Sequence, residues 1–517
     1  MTSVKEQIPA VLMPATAYHS SASDFFAKQV VNDAWESSSF KEYGPVNVIE
    51  DEKICFSIPK LDSSTFMYLG EAKFSMQLSL EDKDGKPPPT LDSDGKAVTL
   101  APAALFPNTM INGVKVWLNE TQVATGGSNL YEYWGYTDAV LNRDWEEQES
   151  DGNLYGMYLD STRDFYEDYV LDSMLKTTGW EGRKRLFGSY DSHSVVTPYP
   201  VLEDFAYDGS VRTYYAKLLT DFSSVRSQPV PPQVGVRVEI TLNRPGFYLQ
   251  SSQPEFCEDK KYKLKIKNIK LQVPVRKLKW SEFETFEKRL KKEPLEYFLQ
   301  RQECSKILLS KGERNFSISG LKQGQLVPDR MLLMIVNGWA VDKSYGKSPF
   351  MSSPEVFLEK HCVDKTRKVG ERGCALTSLK MMVNNTVVND HVNATGHEEL
   401  VKQLFEQTHG CFGAKVLPGC PNIAVDQFKD GTFICAFDMT KGKRFGVSGH
   451  QVRQLPRTGD IRLDLGFDEG RDSEENAEGE EVKINGLPTD AFLYVLSTYH
   501  SRVSIDSERN VSYRYID

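Results

Sequence analysis

The chain has 517 residues, of which 40% are hydrophobic and 11% aromatic, so it is long enough for two domains with folded cores. Its net charge of −10 provides no global basic surface, which argues against sequence-specific nucleic-acid binding. Eight cysteines without regular spacing favour free thiols over a disulfide scaffold. The sequence shows no secretory signal and no apolar run of about eighteen residues, so we expect no membrane span.

Residues 1–45 are rich in Ser and Ala and lack sustained periodicity, which predicts an N-terminal arm that a partner orders. Beyond the arm, short apolar segments alternate with turn material rich in Gly, Pro and Asp. This pattern indicates a β-sandwich or jelly roll, and not a doubly wound sheet. We assign residues 46–275 to a first β module. Its predicted strands, besides the hairpin described next, lie at 53–58, 71–80, 234–242 and 262–275.

One ten-residue segment occurs twice in the chain, in a pattern typical of a β-hairpin. Residues 114–123 and 379–388 share Lys, Asn, Thr and Val in register, 265 positions apart. In each copy apolar residues flank an Asn, as in two strands joined by a tight turn whose conformation Asn tolerates. A candidate helix follows each hairpin, at 129–141 and at 398–406. The shared order predicts two versions of one module.

A second correspondence supports the duplication, since four matches in ten positions also arise by chance. Residues 236–240 and 461–465 both alternate apolar and charged side chains, like a strand with one buried face. The two matches lie 118 positions apart in the first copy and 78 in the second. The first copy therefore carries about forty extra residues, which we place in an insertion near 143–227.

Residues 276–303 form the predicted linker between the modules. Seven Lys and Arg residues alternate there with Glu at helical spacing, until Pro294 interrupts the pattern. One interpretation is a local basic surface that faces nucleic acid or an acidic partner. The other is a solvated linker helix, which we favour because the carboxylates offset much of the charge.

A second β module is predicted over residues 304–517. The apolar run 331–336 fits either a strand buried on both faces or a buried helix, and the Asn-Gly that follows favours the strand. The acidic stretch 468–481 is predicted to be a solvated loop. The other predicted strands lie at 306–309, 315–319, 490–499 and 501–506.

Several dispersed segments carry a family resemblance. They are the Asn119 hairpin with its aromatic helix and residues 287–294, 301–304, 337–338, 344–350 and 505–511. Over roughly residues 45–517 the chain resembles major capsid proteins of the adintovirus and Maverick/Polinton type, with hexon-like proteins of adomaviruses a close second. The resemblance implies an all-β double jelly roll, in which two eight-stranded sandwiches stand side by side. Three such chains would form a pseudo-hexagonal homotrimeric capsomer.

The resemblance also implies a location and partners. The protein would belong to the virion of an icosahedral double-stranded DNA virus or virus-like element, with synthesis in the host cytoplasm and assembly in the host nucleus. Its partners would be neighbouring capsomers and penton or minor capsid proteins. Loops near 143–227 are then expected on the outward tower of the trimer, and the arm is expected to tie neighbouring capsomers together.

No motif in the sequence nominates a catalytic, cofactor or metal site, so we expect no enzyme. Residues 346–348 read Gly-Lys-Ser but lack the earlier glycine of a phosphate-binding loop. Carboxylate pairs such as Asp464 and Asp468 are too common here to be informative. A region enriched in Cys and His raises a zinc hypothesis, which its loose spacing disfavours. It contains His361, Cys362, Cys374, His391, His397, His409, Cys411 and Cys420.

Three classes of function remain open from the sequence. The leading one is a structural shell subunit that assembles through large apolar interfaces. The second is a β-sandwich module that binds glycans or proteins through an aromatic groove. The third is a double-sandwich hydrolase, which requires a convergent carboxylate pocket.

Overall fold

The structure is a computed structural model of the chain. It describes residues 34–47, 53–93, 95, 98–126, 130–142, 152–156, 178–190, 205–225, 228–251, 261–321, 326–342, 348–358, 373–391, 400, 403–404, 423, 428–429, 431–439, 458–470, 473–475 and 481–515. Helices within these residues are short. They are α1 (Phe106–Thr109), α2 (Tyr131–Asn142), α3 (Thr178–Arg185), α4 (Pro245–Tyr248), α5 (Trp280–Leu290) and α6 (Gly338–Asp342), with 3-10 helices at Leu69–Glu71, Gly152–Tyr155 and Asp221–Val225.

Eight main strands of the first half form two antiparallel sheets. They are β1 (Trp35–Tyr43), β2 (Lys53–Ile58), β4 (Lys73–Glu81), β6 (Ile111–Leu118), β7 (Thr121–Gly126), β10 (Arg212–Lys217), β11 (Val236–Leu242) and β13 (Lys263–Leu278). One sheet has the order β1-β13-β4-β10 and the other β2-β11-β6-β7. Shorter strands are β3 (Thr65–Met67), β5 (Ala101–Pro102), β8 (Gly188–Tyr190), β9 (Phe205–Tyr207) and β12 (Leu249–Gln250).

The second half repeats this arrangement. Its eight equivalent strands are β14 (Leu295–Leu309), β15 (Asn315–Ser319), β16 (Arg330–Asn337), β18 (Cys374–Val383), β19 (Thr386–His391), β20 (Cys435–Asp438), β21 (Ile461–Phe467) and β24 (Ala491–Ile505). One sheet has the order β14-β24-β16-β20, and in the other β15-β21-β18 is extended by β19. Shorter strands are β17 (Glu355–Val356), β22 (Ser473–Glu475), β23 (Glu481–Lys483) and β25 (Val511–Tyr515).

Both halves are jelly rolls, because each folds eight strands into two packed sheets in the same Greek-key order. Alternation drives the packing: in β11 the side chains of Val236, Val238 and Ile240 are buried while Arg237 between them is exposed. The all-β double jelly roll expected from the sequence is thereby confirmed. The run 331–336 lies in β16, so the strand interpretation is correct.

The repeated hairpin has the same strand register in both copies. Asn119 and Asn384 open the turns with positive φ angles of 52° and 49°, and each strand pair has a bulge at the same position after the turn. The Asn119 side-chain oxygen accepts from the backbone N–H of Gly235 at 3.0 Å, and that of Asn384 accepts from Asp460 at 2.9 Å. Each Asn thus ties its hairpin to the start of the neighbouring strand.

The second sequence correspondence has the same physical origin. Arg237 lies opposite Trp117, and Arg462 lies opposite Met382, the residue that matches Trp117 in the repeat. Arg237 pairs with Glu239 at 3.3 Å, and Arg462 pairs with Asp464 at 2.9 Å, two positions along each strand. The matching residues therefore reflect the same cross-strand arrangement in both modules.

The extra residues of the first copy lie between β7 and β10. There, 85 residues separate the two strands, whereas 43 separate β19 from β20. The span 143–227 ends beyond this connection, because residues 212–217 form β10 in the sheet. Of the candidate helices that follow the hairpins, the first is α2. In the second, residues 400 and 403–404 are helical and the rest lie outside the described residues.

Three other expectations differ from the observed elements. Residues 35–43, assigned to the arm, form β1, and the span 276–303 contains the end of β13, α5 and the start of β14. The two predicted terminal strands are one continuous strand, β24, because His500 continues its pairing with β14. The stretch predicted as a loop at 468–481 contains β22 and the first residue of β23, which pair with each other.

We expect Asn119→Ala and Asn384→Ala each to lower the free energy of unfolding by about 1–3 kcal/mol. Alanine would be strained at positive φ and would lose the hydrogen bond to the next strand. Asn→Gly at the same positions is the matched control and should cost less, since glycine adopts positive φ freely. Urea unfolding followed by circular dichroism measures both. Alanine variants as stable as the parent would contradict this role.

Candidate assembly interface

The two jelly rolls meet at an aromatic junction centred on α2. Tyr133 stacks on Tyr494 of β24, with ring centroids 3.9 Å apart and planes 23° apart. Its hydroxyl donates to the backbone oxygen of Pro349 at 3.0 Å. Tyr136, one turn further along α2, stacks on Phe350 at 4.8 Å. Because these rings are buried and their polar atoms bonded, the junction has the character of a domain core.

Strand β14 provides the second part of the junction. It packs on the 3-10 helix Asp221–Val225 of the first module. The Tyr297 hydroxyl donates to the backbone oxygen of Pro229 at 2.7 Å, and the backbone N–H of Gln300 donates to the Ser224 hydroxyl at 2.9 Å. The first strand of the second jelly roll is therefore covered by the first jelly roll.

The turn between β24 and β25 provides the third part. Arg509, with φ of 67°, donates from Nε to the backbone oxygen of Pro232 at 2.9 Å and pairs with Glu287 of α5. The Asn119 side-chain amide donates to the backbone oxygen of Arg509 at 2.8 Å. The Thr121 hydroxyl donates to the backbone oxygen of Val511 at 3.0 Å. The first-module hairpin that repeats in the sequence is thus capped by the second module.

Two carboxylic acids are enclosed at the junction. Burial raises the pKa of Glu132, next to Tyr133, to about 8. Burial also raises the pKa of Asp221 to about 8, although nearby Arg301 opposes the shift. Both Asp221 oxygens lack a hydrogen-bond partner among the described residues. At neutral pH the protonated form of each acid predominates, which avoids an uncompensated buried charge.

Among the described residues outside the junction, two surfaces are exposed. Strand β1 is exposed at seven of its nine residues, and Phe40 on it is 66% exposed. At the other module, Asn384 and Thr386 of the second hairpin are exposed, and Val387 is 45% exposed. Ion pairs such as Lys270 with Glu42 flank β1, but exposed pairs of this kind contribute little to stability.

Within the span predicted as the linker, residues 280–290 form helix α5, which is largely exposed. Helix α5 buries Phe283 and Leu290, and the other residues between them are partly or fully exposed. At its end, Arg289 pairs with Glu293 at 2.5 Å. Carboxylates therefore engage the cationic side chains at this end of the helix, as their helical spacing suggests.

The residues considered for chemistry have structural contacts where they are described. The Cys374 thiol donates to the backbone oxygen of Gly486 at 2.8 Å. Asp464 accepts from Ser317 and Arg462, and Asp468 accepts from the backbone of Ala375. Of the Cys/His region, His361, Cys362, His397, His409, Cys411 and Cys420 lie outside the described residues, as does the side chain of His391.

Two further properties concern the described residues. No group of His, Cys, Asp and Glu side chains among them is arranged to hold a metal ion. No helix among them combines the length and apolarity needed to cross a bilayer. Cys55, Cys304, Cys374 and Cys435 are free thiols, as the sequence predicts.

Comparison with known proteins finds similarity of fold without similarity of sequence. No family model and no curated protein matches the chain. VP54 of PBCV-1, fitted into a reconstruction of the virophage Sputnik, matches at TM-score 0.54 and 10% identity, over 95% of this chain and 100% of that one. A chain of the 3.5 Å cryo-EM structure of Sputnik matches at 0.55 and 9%, over 100% and 94%. The mavirus major capsid protein matches at 0.46 and 12%, over 99% and 97%.

Tyr133→Ala should lower the free energy of unfolding by about 3–5 kcal/mol, because it opens a cavity between the two jelly rolls. Tyr133→Phe keeps the stacking and loses the bond to Pro349, so it should cost about 1 kcal/mol. Differential scanning calorimetry compares the two. Equal effects of both substitutions would show that the stacked ring does not hold the junction.

Asp221 predicts a pH dependence with a defined sign. Its pKa in the folded protein, about 8, exceeds the ordinary value of 3.8, so the folded state holds the extra proton and stability falls as pH rises between these values. Between pH 5 and pH 8, the Asp221→Asn variant should therefore lose about 1–3 kcal/mol less of its free energy of unfolding than the parent does. Urea unfolding at both pH values measures the difference. The exposed Asp84→Asn variant is the control, and an unchanged slope in Asp221→Asn would contradict the assignment.

Proposed function

We propose that this chain is a major capsid protein, which builds the shell of an icosahedral double-stranded DNA virus or virus-like element. The observation that carries the proposal is the pair of equivalent jelly rolls held together by a buried aromatic junction. Its fold matches that of VP54, which has been fitted into a virophage reconstruction, and that of a chain in the Sputnik particle, in both cases over nearly the whole length.

The duplication itself supports a role in a shell. Three copies of a chain with two similar modules present six similar lobes, so a homotrimer can occupy a six-coordinated position in a lattice. The different lengths of the β7–β10 and β19–β20 connections fit the same role. The longer connection between β7 and β10 would shape the outer surface, while the similar sandwiches tile the shell.

The residue resemblance gives the proposal its finer detail. It favours a capsid protein of the adintovirus or Maverick/Polinton type, within a virion assembled in the host nucleus after synthesis in the cytoplasm. Capsomers would contact neighbouring capsomers and penton or minor capsid proteins. The residues that precede β1 would tie adjacent capsomers together.

The enzyme and binding-module alternatives are not favoured over a capsid protein. A hydrolase requires an open pocket with convergent carboxylates. The carboxylic acids with the most strongly raised pKa values, Glu132 and Asp221, are instead enclosed where the two jelly rolls meet. Their placement suits a protein whose two modules remain joined.

Sedimentation velocity and native mass spectrometry of the purified protein test the proposal. We expect a species of three chains that dissociates on dilution and reforms on concentration, because large apolar interfaces associate by mass action. Electron micrographs of the same sample should show pseudo-hexagonal particles. A strict monomer at every protein and salt concentration would remove the capsid assignment.

A further inference from the structure

We propose that β1 of one copy docks against the β18–β19 hairpin of a second copy, repeating between chains the contact that joins the two jelly rolls within a chain. The inference rests on the proposed function, because it names the surfaces through which the trimer would close. A second copy of this chain would occupy both exposed surfaces.

The contact within the chain provides the template. Strand β14, the first strand of its jelly roll, is covered by the first module, and it also touches β7 of the repeated hairpin. Strand β25 also touches β7, and there the backbone oxygen of Val511 accepts a hydrogen bond from the Thr121 hydroxyl. One half of the template is therefore the first strand of a jelly roll, and the other half is the hairpin whose turn contains the repeated Asn.

Each half of the template has a second copy that is exposed among the described residues. The copy of β14 is β1, which occupies the same edge position in its sheet and is exposed at seven of nine residues. The copy of the β6–β7 hairpin is β18–β19. Asn119 and Thr121 are half-buried by the contact, whereas the equivalent Asn384 and Thr386 are exposed.

Apolar side chains are exposed on both uncovered surfaces. Phe40 on β1 is 66% exposed, and Val387 on β19 is 45% exposed. An edge strand that carries a large exposed aromatic side chain promotes aggregation unless another chain covers it. By analogy, the amide of Asn384 would donate across the contact between chains, as the amide of Asn119 donates to the backbone oxygen of Arg509 within the chain.

The two uncovered surfaces lie on different modules and differ from each other, so their association is head-to-tail. Head-to-tail contacts generate a closed ring when the rotation between copies permits closure. Because the contact between chains would copy the contact within the chain, successive modules would be related by similar rotations. This is the condition for a ring of alternating first and second modules.

The test uses two charged variants of the full chain, Phe40→Glu and Val387→Glu, with Leu91→Glu as control. Leu91 is 43% exposed in the connection between β4 and β5, outside both surfaces. All three sites are exposed, so the variants should fold, which circular dichroism and thermal unfolding verify. We expect each of the first two variants to raise the concentration for half-dissociation by at least about tenfold, and the control to leave it unchanged.

Mixing the two variants tests the head-to-tail pairing directly. The Phe40→Glu chain retains an intact hairpin, and the Val387→Glu chain retains an intact β1, so a mixture should form one sound contact. Native mass spectrometry should then show dimers that contain one chain of each variant, whereas neither variant should form dimers alone. If β1 instead packs against β1, the Val387→Glu variant assembles normally and the mixture yields no heterodimer.

The outcomes separate this inference from the proposed function. A wild-type chain that is monomeric overturns the capsid proposal and this inference with it. A wild-type trimer, with both charged variants assembling as the wild type does, overturns only the choice of surfaces. Loss of assembly in the Leu91→Glu control as well would show a general effect of added charge, and would likewise overturn the assignment of these surfaces.

Discussion

The constraint on which the structure depends is that the first strand of each jelly roll lies at the edge of its sheet and must be covered. In the second module this requirement is met within the chain. Strand β14 packs on the 3-10 helix that contains Asp221, and Tyr297 and Gln300 bond to that region. In the first module the same requirement is unmet, since β1 is exposed. The fold of one chain therefore contains both a completed contact and the two halves of an incomplete one.

The completed contact joins the modules firmly because several kinds of interaction coincide. Stacked rings at Tyr133 and Tyr494 exclude water, and hydrogen bonds from Asn119 and Thr121 set the register of the second module against the first hairpin. The enclosed Glu132 and Asp221 add a pH-sensitive element, since ionisation of either acid would place a buried charge between the modules. Stacking and hydrogen bonding thus hold a unit of two jelly rolls.

Local chemistry was predictable from the sequence, and long-range contact was not. The Asn119 hairpin and the alternation around Arg237 were visible because turn conformation and single-face burial leave short-range patterns. The sequence predicts an arm over β1 because residues 1–45 lack sustained periodicity, and seven of the nine residues of β1 are exposed, so the strand has no alternating apolar face. The junction could not be foreseen, since Tyr133 and Tyr494 are brought together only by the fold. Equally, burial of Asp221 depends on β14, which lies far along the chain.

The contact within the chain should recur between chains. An electron-microscopy map of the purified oligomer, at a resolution that traces strands, tests this. We expect β1 of each chain against the β18–β19 hairpin of its neighbour, with Phe40 buried and the Asn384 turn covered as the Asn119 turn is within the chain. A map in which β1 remains open to solvent, or meets another β1, would contradict it.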